Sequence, residues 1–191
     1  MKAALLALAV LALAAQTPGP RPIPSAPTGP LPTDPKDSLP LLLGPTTRAA
    51  ILAHRKVFAE NLAALRLSPA VQARWQAVRR PYTLVAVFGS WCGDTHLQLP
   101  DLLALEAQPN PFVEVHFLGV ARDKQLAVAA WPQGCAPQPV VRVPTFYLFA
   151  LAPGGKQKLV GTVVENPPRA GQTMAEALVE LIESDHSAAG S

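Results

Sequence analysis

Charge, cysteine and long apolar runs are all scarce in this chain of 191 residues. Charged side chains make up only 15% of it, and the formal net charge is +3. Nucleic-acid binding calls for numerous, clustered basic residues, so it is not expected. A pI near 9.1 adds little, because a few side chains set it. Two cysteines exclude a disulfide-rich scaffold and any four-cysteine metal site. The low charge does not signal disorder throughout, since 49% of the residues are hydrophobic. The length allows one domain with a core of its own. The apolar run Ala3 to Ala15 is thirteen residues, short of the roughly 20 that cross a bilayer.

Proline is the residue in excess, at 22, and ten of these lie between Pro18 and Pro45. Met1-Lys2, the apolar run and the small residues Ala12-Leu13-Ala14-Ala15 together predict an export signal over 1–15. The mature protein is then expected outside the cytoplasm: periplasmic, in the cell envelope or extracellular. No membrane span is expected after cleavage. Residues 16–44 are mostly proline and small residues, with one apolar patch at Leu41-Leu42-Leu43. Proline disfavours helix in the residue before it and leaves extended conformations. A disordered, semi-rigid linker is expected there.

The folded part is expected over 45–186, with a helical extension at 45–80 and a flexible tail at 187–191. Apolar residues at helical spacing predict a helix over Thr46–Leu65, capped by Thr46 or Thr47. Ser68-Pro69 opens a second helix running through Ala77. The runs Tyr82–Phe88, Phe112–Val120, Thr145–Leu151 and Gln157–Val164 predict four strands, the last two joined as a hairpin through Pro153-Gly154-Gly155. Helices are predicted over Thr95–Glu106, Asp123–Trp131 and Met174–Ile182. A helix between the first two strands implies a parallel crossover. The class is α/β.

Ser90-Trp91-Cys92-Gly93-Asp94-Thr95 falls where the first strand ends and a helix begins. A cysteine there meets unpaired backbone N–H groups and the positive end of a helix dipole. Both favour thiolate, the reactive form of the residue. Gly93 leaves room for another chain to approach the sulfur. A small packed thiol would equally occupy the position. Thr95 is suited to capping the helix or donating to the sulfur. His96 suits a surface role, a bond to the site or a metal shared with Cys92. Two or three ligands are too few for a convincing metal site, and none is expected.

With these motifs the chain resembles the thioredoxin superfamily over about Tyr82 to Ile182. Trp91-Cys92-Gly93 is similar to the family's active-site opening, and Pro100 falls where its first helix is kinked. Val143-Pro144-Thr145 is similar to its cis-proline motif, and Gly154-Gly155-Lys156 with Leu159-Val160-Gly161 to its terminal hairpin. Cys-Gly-Asp-Thr also looks like exported members with a single motif cysteine. The resemblance implies a central mixed sheet of about four strands flanked by helices. It implies a thiol-disulfide oxidoreductase with Cys92 as nucleophile and no cofactor. Trp91, Gly93, Asp94, Thr95, Val143, Pro144 and Thr145 would then face the substrate, a protein or small thiol or disulfide. Departures matter too. Thr95 stands where a dithiol motif has its second cysteine, and Ala86 where many members have a buried acid. Asp94 adds a negative charge that opposes the helix dipole. Cys135, in the turn-rich stretch Trp131–Pro137, either resolves Cys92 through a disulfide or simply packs. A non-catalytic binding or chaperone module of the envelope is the alternative function. A monomer is expected.

Overall fold

The computed structural model describes residues 30–152 and 155–189. The expected signal at 1–15, the linker up to residue 29 and the turn residues Pro153-Gly154 lie outside the described residues. The elements run β1 (Gly44–Thr46), α1 (Arg48–His54), α2 (Lys56–Ala64), α3 (Pro69–Gln76), β2 (Tyr82–Phe88) and α4 (Gly93–Glu106). They continue with β3 (Val113–Gly119), β4 (Thr145–Leu151), β5 (Gln157–Val164) and α5 (Met174–Ala189).

One mixed sheet holds all five strands in the order β1-β3-β2-β4-β5. β2 and β3 run parallel across the α4 crossover, while β4 pairs antiparallel with β2 and with β5. The sheet therefore has five strands rather than about four. The additional one, β1, is three residues long and pairs antiparallel with the outer edge of β3. A three-residue strand carries no detectable alternation, so only its pairing reveals it.

β2 is buried along its whole length, with no polar face. The period of two along a strand explains why. Leu84, Ala86 and Phe88 enter a core shared with Phe58 of α2, Trp75 of α3, Leu99, Leu102 and Leu103 of α4 and Leu178 of α5. Val85 and Val87 enter a second cluster with Leu118, Val120, Trp131, Cys135, Val143, Tyr147 and Phe149. β4 splits likewise, Phe146 and Leu148 going to the first and Tyr147 and Phe149 to the second. Much of the second cluster comes from the segment between β3 and β4. The predicted helix over Asp123–Trp131 is reduced to a single 3₁₀ turn at Val128–Ala130. Lys124 takes a left-handed backbone (φ 59°), which breaks a helix at its start.

The predicted helix over Thr46–Leu65 is likewise divided. Thr46 joins β1, Thr47 caps α1 by accepting from the Ala50 N–H (3.2 Å), and Arg55 is extended between α1 and α2. The Arg55 guanidinium reaches back to the Pro40 carbonyl (3.3 Å) and to Asp37 (3.5 Å). α3 starts as its sequence predicts, with Ser68 capping and Pro69 in the first turn. α5 opens on a reciprocal capping box between Thr173 and Glu176 and runs to Ala189, past the expected domain end at 186.

The expected linker is corrected over its second half. Residues 30–43 form a strap laid on the domain. Leu41 and Leu42 are buried, and Asp34 is 1% exposed. The strap folds back on itself, with Thr33 bridged antiparallel to Pro40 across a turn in which Ser38 is left-handed (φ 57°). Burial of the two leucines, worth about 1.5–3 kcal/mol each, holds it down. Gly119 of β3 permits the approach: a Cβ there would collide with the Leu42 backbone.

Candidate functional site

Cys92 is the N-cap of α4, with extended backbone (φ −92°, ψ 128°). Its carbonyl accepts the first helical bond, from the His96 N–H (3.1 Å), and its own N–H closes a turn onto the Gly89 carbonyl (2.9 Å). The side chain does not cap. Instead the thiol donates to the Val143 carbonyl at 3.2 Å. Val143 precedes Pro144, and the peptide bond between them is cis. Residues 51 positions apart thus meet at one sulfur, at the C-terminal end of β2.

The helix begins at Gly93, two residues before its predicted start, and this changes the role of Thr95. Thr95 sits inside the first turn, fully buried, and its hydroxyl has no partner among the described residues. It neither caps the helix nor donates to Cys92. Gly93 is exposed, and a Cβ there would meet nothing within 4 Å, so the space beside the sulfur is open. Asp94, half-buried, puts a carboxylate in the first helical turn. Pro100 is buried inside α4. His96 turns away from Cys92: its Nε2 lies 2.9 Å from the Ser90 carbonyl, and its ring meets Phe58 edge-on. No group of three metal-ligating side chains occurs among the described residues.

Trp91 is half-buried and donates through Nε1 to the Val120 carbonyl (3.0 Å). Gly89 allows this, because a Cβ there would press on the indole ring. Thr145 opens β4 buried, and its hydroxyl donates to the Arg142 carbonyl (2.7 Å), so it braces the cis-proline loop rather than facing outward. The Pro144 carbonyl accepts from Glu165 N–H (2.7 Å). Val141, 74% exposed, and Val164 line a small cleft with Arg142 and Thr145.

Cys135 belongs to the second apolar cluster, and Cys92 packs at the margin of the same cluster. Both are free thiols, so the Cys92–Cys135 bond considered from the sequence is not formed. Each sulfur is engaged otherwise: Cys92 faces Val143, and Cys135 is 6% exposed among Val, Trp and Tyr side chains. Burial, with a smaller contribution from the Glu114 charge, pushes the Cys135 thiol up to about 11.

Three residues of the site were given no role by the sequence: Ser90, which stands in the motif, and Arg122 and Asp34, which no motif marks. Ser90 is buried, and its Oγ accepts from the Leu42 N–H of the strap (3.3 Å). Arg122 lies with its guanidinium carbon 4.6 Å from the centre of the Trp91 ring. Asp34 of the strap accepts a hydrogen bond from Arg122 Nε on Oδ1 (2.8 Å), and its Oδ2 lies 2.8 Å from Arg122 Nη2 as an ion pair. The bonds from Arg122 hold the Asp34 carboxyl below its ordinary value, and in return raise Arg122.

No helix among the described residues is long and apolar enough to cross a membrane. No protein family and no curated protein matches the chain. Among solved structures it is similar to an HIV epitope-scaffold, at 19% identity and a TM-score of 0.50 over 73% of this chain and 91% of that one. It is also similar to a protein of unknown function from Pseudomonas aeruginosa, at 20% identity and a TM-score of 0.51, again over 73% and 91%. At such identities the likeness is one of fold: an α/β chain with a mixed five-stranded sheet flanked by helices.

Proposed function

We propose that this chain is an exported thioredoxin-like thiol-disulfide oxidoreductase with Cys92 as its nucleophile. The observation that carries the reading is the meeting of Cys92 Sγ with the carbonyl preceding cis-Pro144, at the first turn of α4. The element order supports it: a parallel β-α-β crossover, then an antiparallel pair and a closing helix. A partner peptide would lie along the cis-proline loop, over the open space at Gly93 and beside exposed Val141.

The reaction is thiol-disulfide exchange. Cys92 thiolate attacks one sulfur of a substrate disulfide. The substrate S–S bond breaks, a mixed disulfide forms on Cys92, and the departing thiolate takes up a proton. A second thiol then attacks the Cys92 sulfur, forming a new disulfide to Cys92 and releasing the remaining substrate thiol, and a further external thiol reduces that disulfide to free Cys92. That second thiol is either Cys135 or an external small thiol acting as reductant. Cys135 can serve only after the segment between β3 and β4 moves, because its sulfur is buried.

A second reading rests on the same site: a binding or chaperone module that holds a peptide without turnover. Thr95 at the place of a second motif cysteine and the burial of Cys135 favour it. Reduction of a protein disulfide by a small thiol separates the two. The wild type is expected to accelerate it, Cys92→Ser to abolish the acceleration, and Cys135→Ser either to preserve it or to trap a mixed disulfide on Cys92. If wild type and Cys92→Ser are equally inert, the oxidoreductase reading fails and the binding reading stands.

A further inference from the structure

We infer that Arg122 is a specificity-determining residue beside Cys92, favouring a partner with a carboxylate near its sulfur, and that Asp34 on the strap is its positioning residue. This rests on Cys92 being the reacting group, and it adds the charge class of the partner.

The geometry is specific. The guanidinium lies over the indole of Trp91, the residue adjoining Cys92, at 4.6 Å from ring centre. The ring is fixed in turn by its bond to the Val120 carbonyl. An arginine left free on a loop end two residues past that carbonyl would sample many rotamers. Asp34 removes that freedom by accepting a hydrogen bond from Nε on Oδ1 and holding Nη2 in charge contact with Oδ2. Asp34 is itself held: its N–H donates to the Leu39 carbonyl, and its Oδ1 also accepts from Lys36 N–H. The strap is tied a second time to the residue before Trp91, through Leu42 N–H on Ser90 Oγ. The Asp34 side chain is fully covered, whereas that of Arg122 remains 29% exposed. The pair is thus asymmetric toward solvent: of the two, a partner can reach only the arginine, with the balancing carboxylate behind it. Cys92 lies close enough for its charge to be among those felt by Arg122. A planar, permanently charged fork of this kind suits a carboxylate.

Charge-selective alkylation of Cys92 tests this in the full chain. Iodoacetate, an anion, and neutral iodoacetamide are compared at about pH 9, above the free-thiol value of about 8.5. Modification is read on the Cys92 peptide by mass spectrometry, and folding is checked by circular dichroism. Asp34→Asn keeps the Oδ1 acceptor that positions Arg122 Nε and removes only the balancing charge, so it should raise the iodoacetate-to-iodoacetamide rate ratio about two- to fivefold, whereas Asp34→Ala, which also frees the guanidinium, should raise it less. Removing the cation leaves Asp34 uncompensated, so Arg122→Gln should lower the ratio by a similar factor. The double variant should return toward the wild-type ratio, and Arg122→Lys should recover part of the loss. A purely structural clamp predicts otherwise: both single variants would loosen the site and move the ratio the same way, or not at all. Either result overturns the inference. The test does not depend on turnover, so a wild type that fails to reduce disulfides would end the oxidoreductase reading while leaving the ratios measurable.

Discussion

The two cysteines differ by environment, and the difference sets what each can do before any rearrangement. Cys92 is half-buried at a helix start, with open space beside it at Gly93. Cys135 sits in an apolar cluster, and its thiol is pushed up to about 11. At pH 8 only about one Cys135 in a thousand is then thiolate in the folded state. Titration of the native protein with an aromatic disulfide reagent at that pH is expected to show one fast thiol. The second should appear only on unfolding, and Cys92→Ser should remove the fast phase. Two equally fast thiols would mean that the segment between β3 and β4 opens freely, and would favour Cys135 as the resolving group. The motif around Cys92 was legible because its residues are contiguous. The pairing of Asp34 with Arg122 was not, since 88 positions separate them and neither stands in a pattern.

Among the elements, the strands were the most legible. The bounds of β2, β4 and β5 match the runs that predict them: β2 and β4, buried on both faces, need little but an apolar run, and β5, at the sheet edge, follows from its hairpin with β4. The helices depended on their caps. Ser68-Pro69 announced α3, whereas the break at Arg55 answers to distant bonds with Asp37 and Pro40. The start of α5 shows a further long-range cap. Asp101 of α4 is buried, and its Oδ2 accepts from the Ala175 N–H in the first turn of α5 (2.8 Å). Burial raises its carboxyl above the ordinary value, against the opposing pull of that bond. Acceptance, rather than charge, is therefore what α5 requires. Asp101→Ala is expected to cost about 1–2 kcal/mol, or roughly 2–8 °C in Tm. Asp101→Asn keeps an acceptor without a buried charge, and its melt at pH 7 should lie well above that of the alanine variant. Equal losses in both variants would show that the charge itself holds the helix.

For the molecule as a whole, the strap makes residues 30–43 part of the domain. It covers the region of Ser90 and Gly119, extends the sheet through β1, and reaches the candidate site through Asp34. Proline content alone could not distinguish it from a tether, because proline suits turns and extended chain alike; only the partners of Leu41, Leu42 and Asp34 do. The ion pair gives the strap a pH signature whose sign is fixed. The folded-state carboxyl of Asp34 is lowered, first by its bonds from Arg122. A group lowered in this way stabilises the fold above its unfolded value and ceases to do so as pH falls through the folded one. Arg122 stays charged throughout that range. The gap in Tm between the wild type and Asp34→Asn should therefore be constant from about pH 8 to pH 5. It should narrow as pH falls below about 3.8, the ordinary carboxyl value, and approach zero once Asp34 is protonated. Thermal melts of both proteins across that range provide the check. A gap that persists undiminished into acid would mean that Asp34 holds the strap by shape and not by charge.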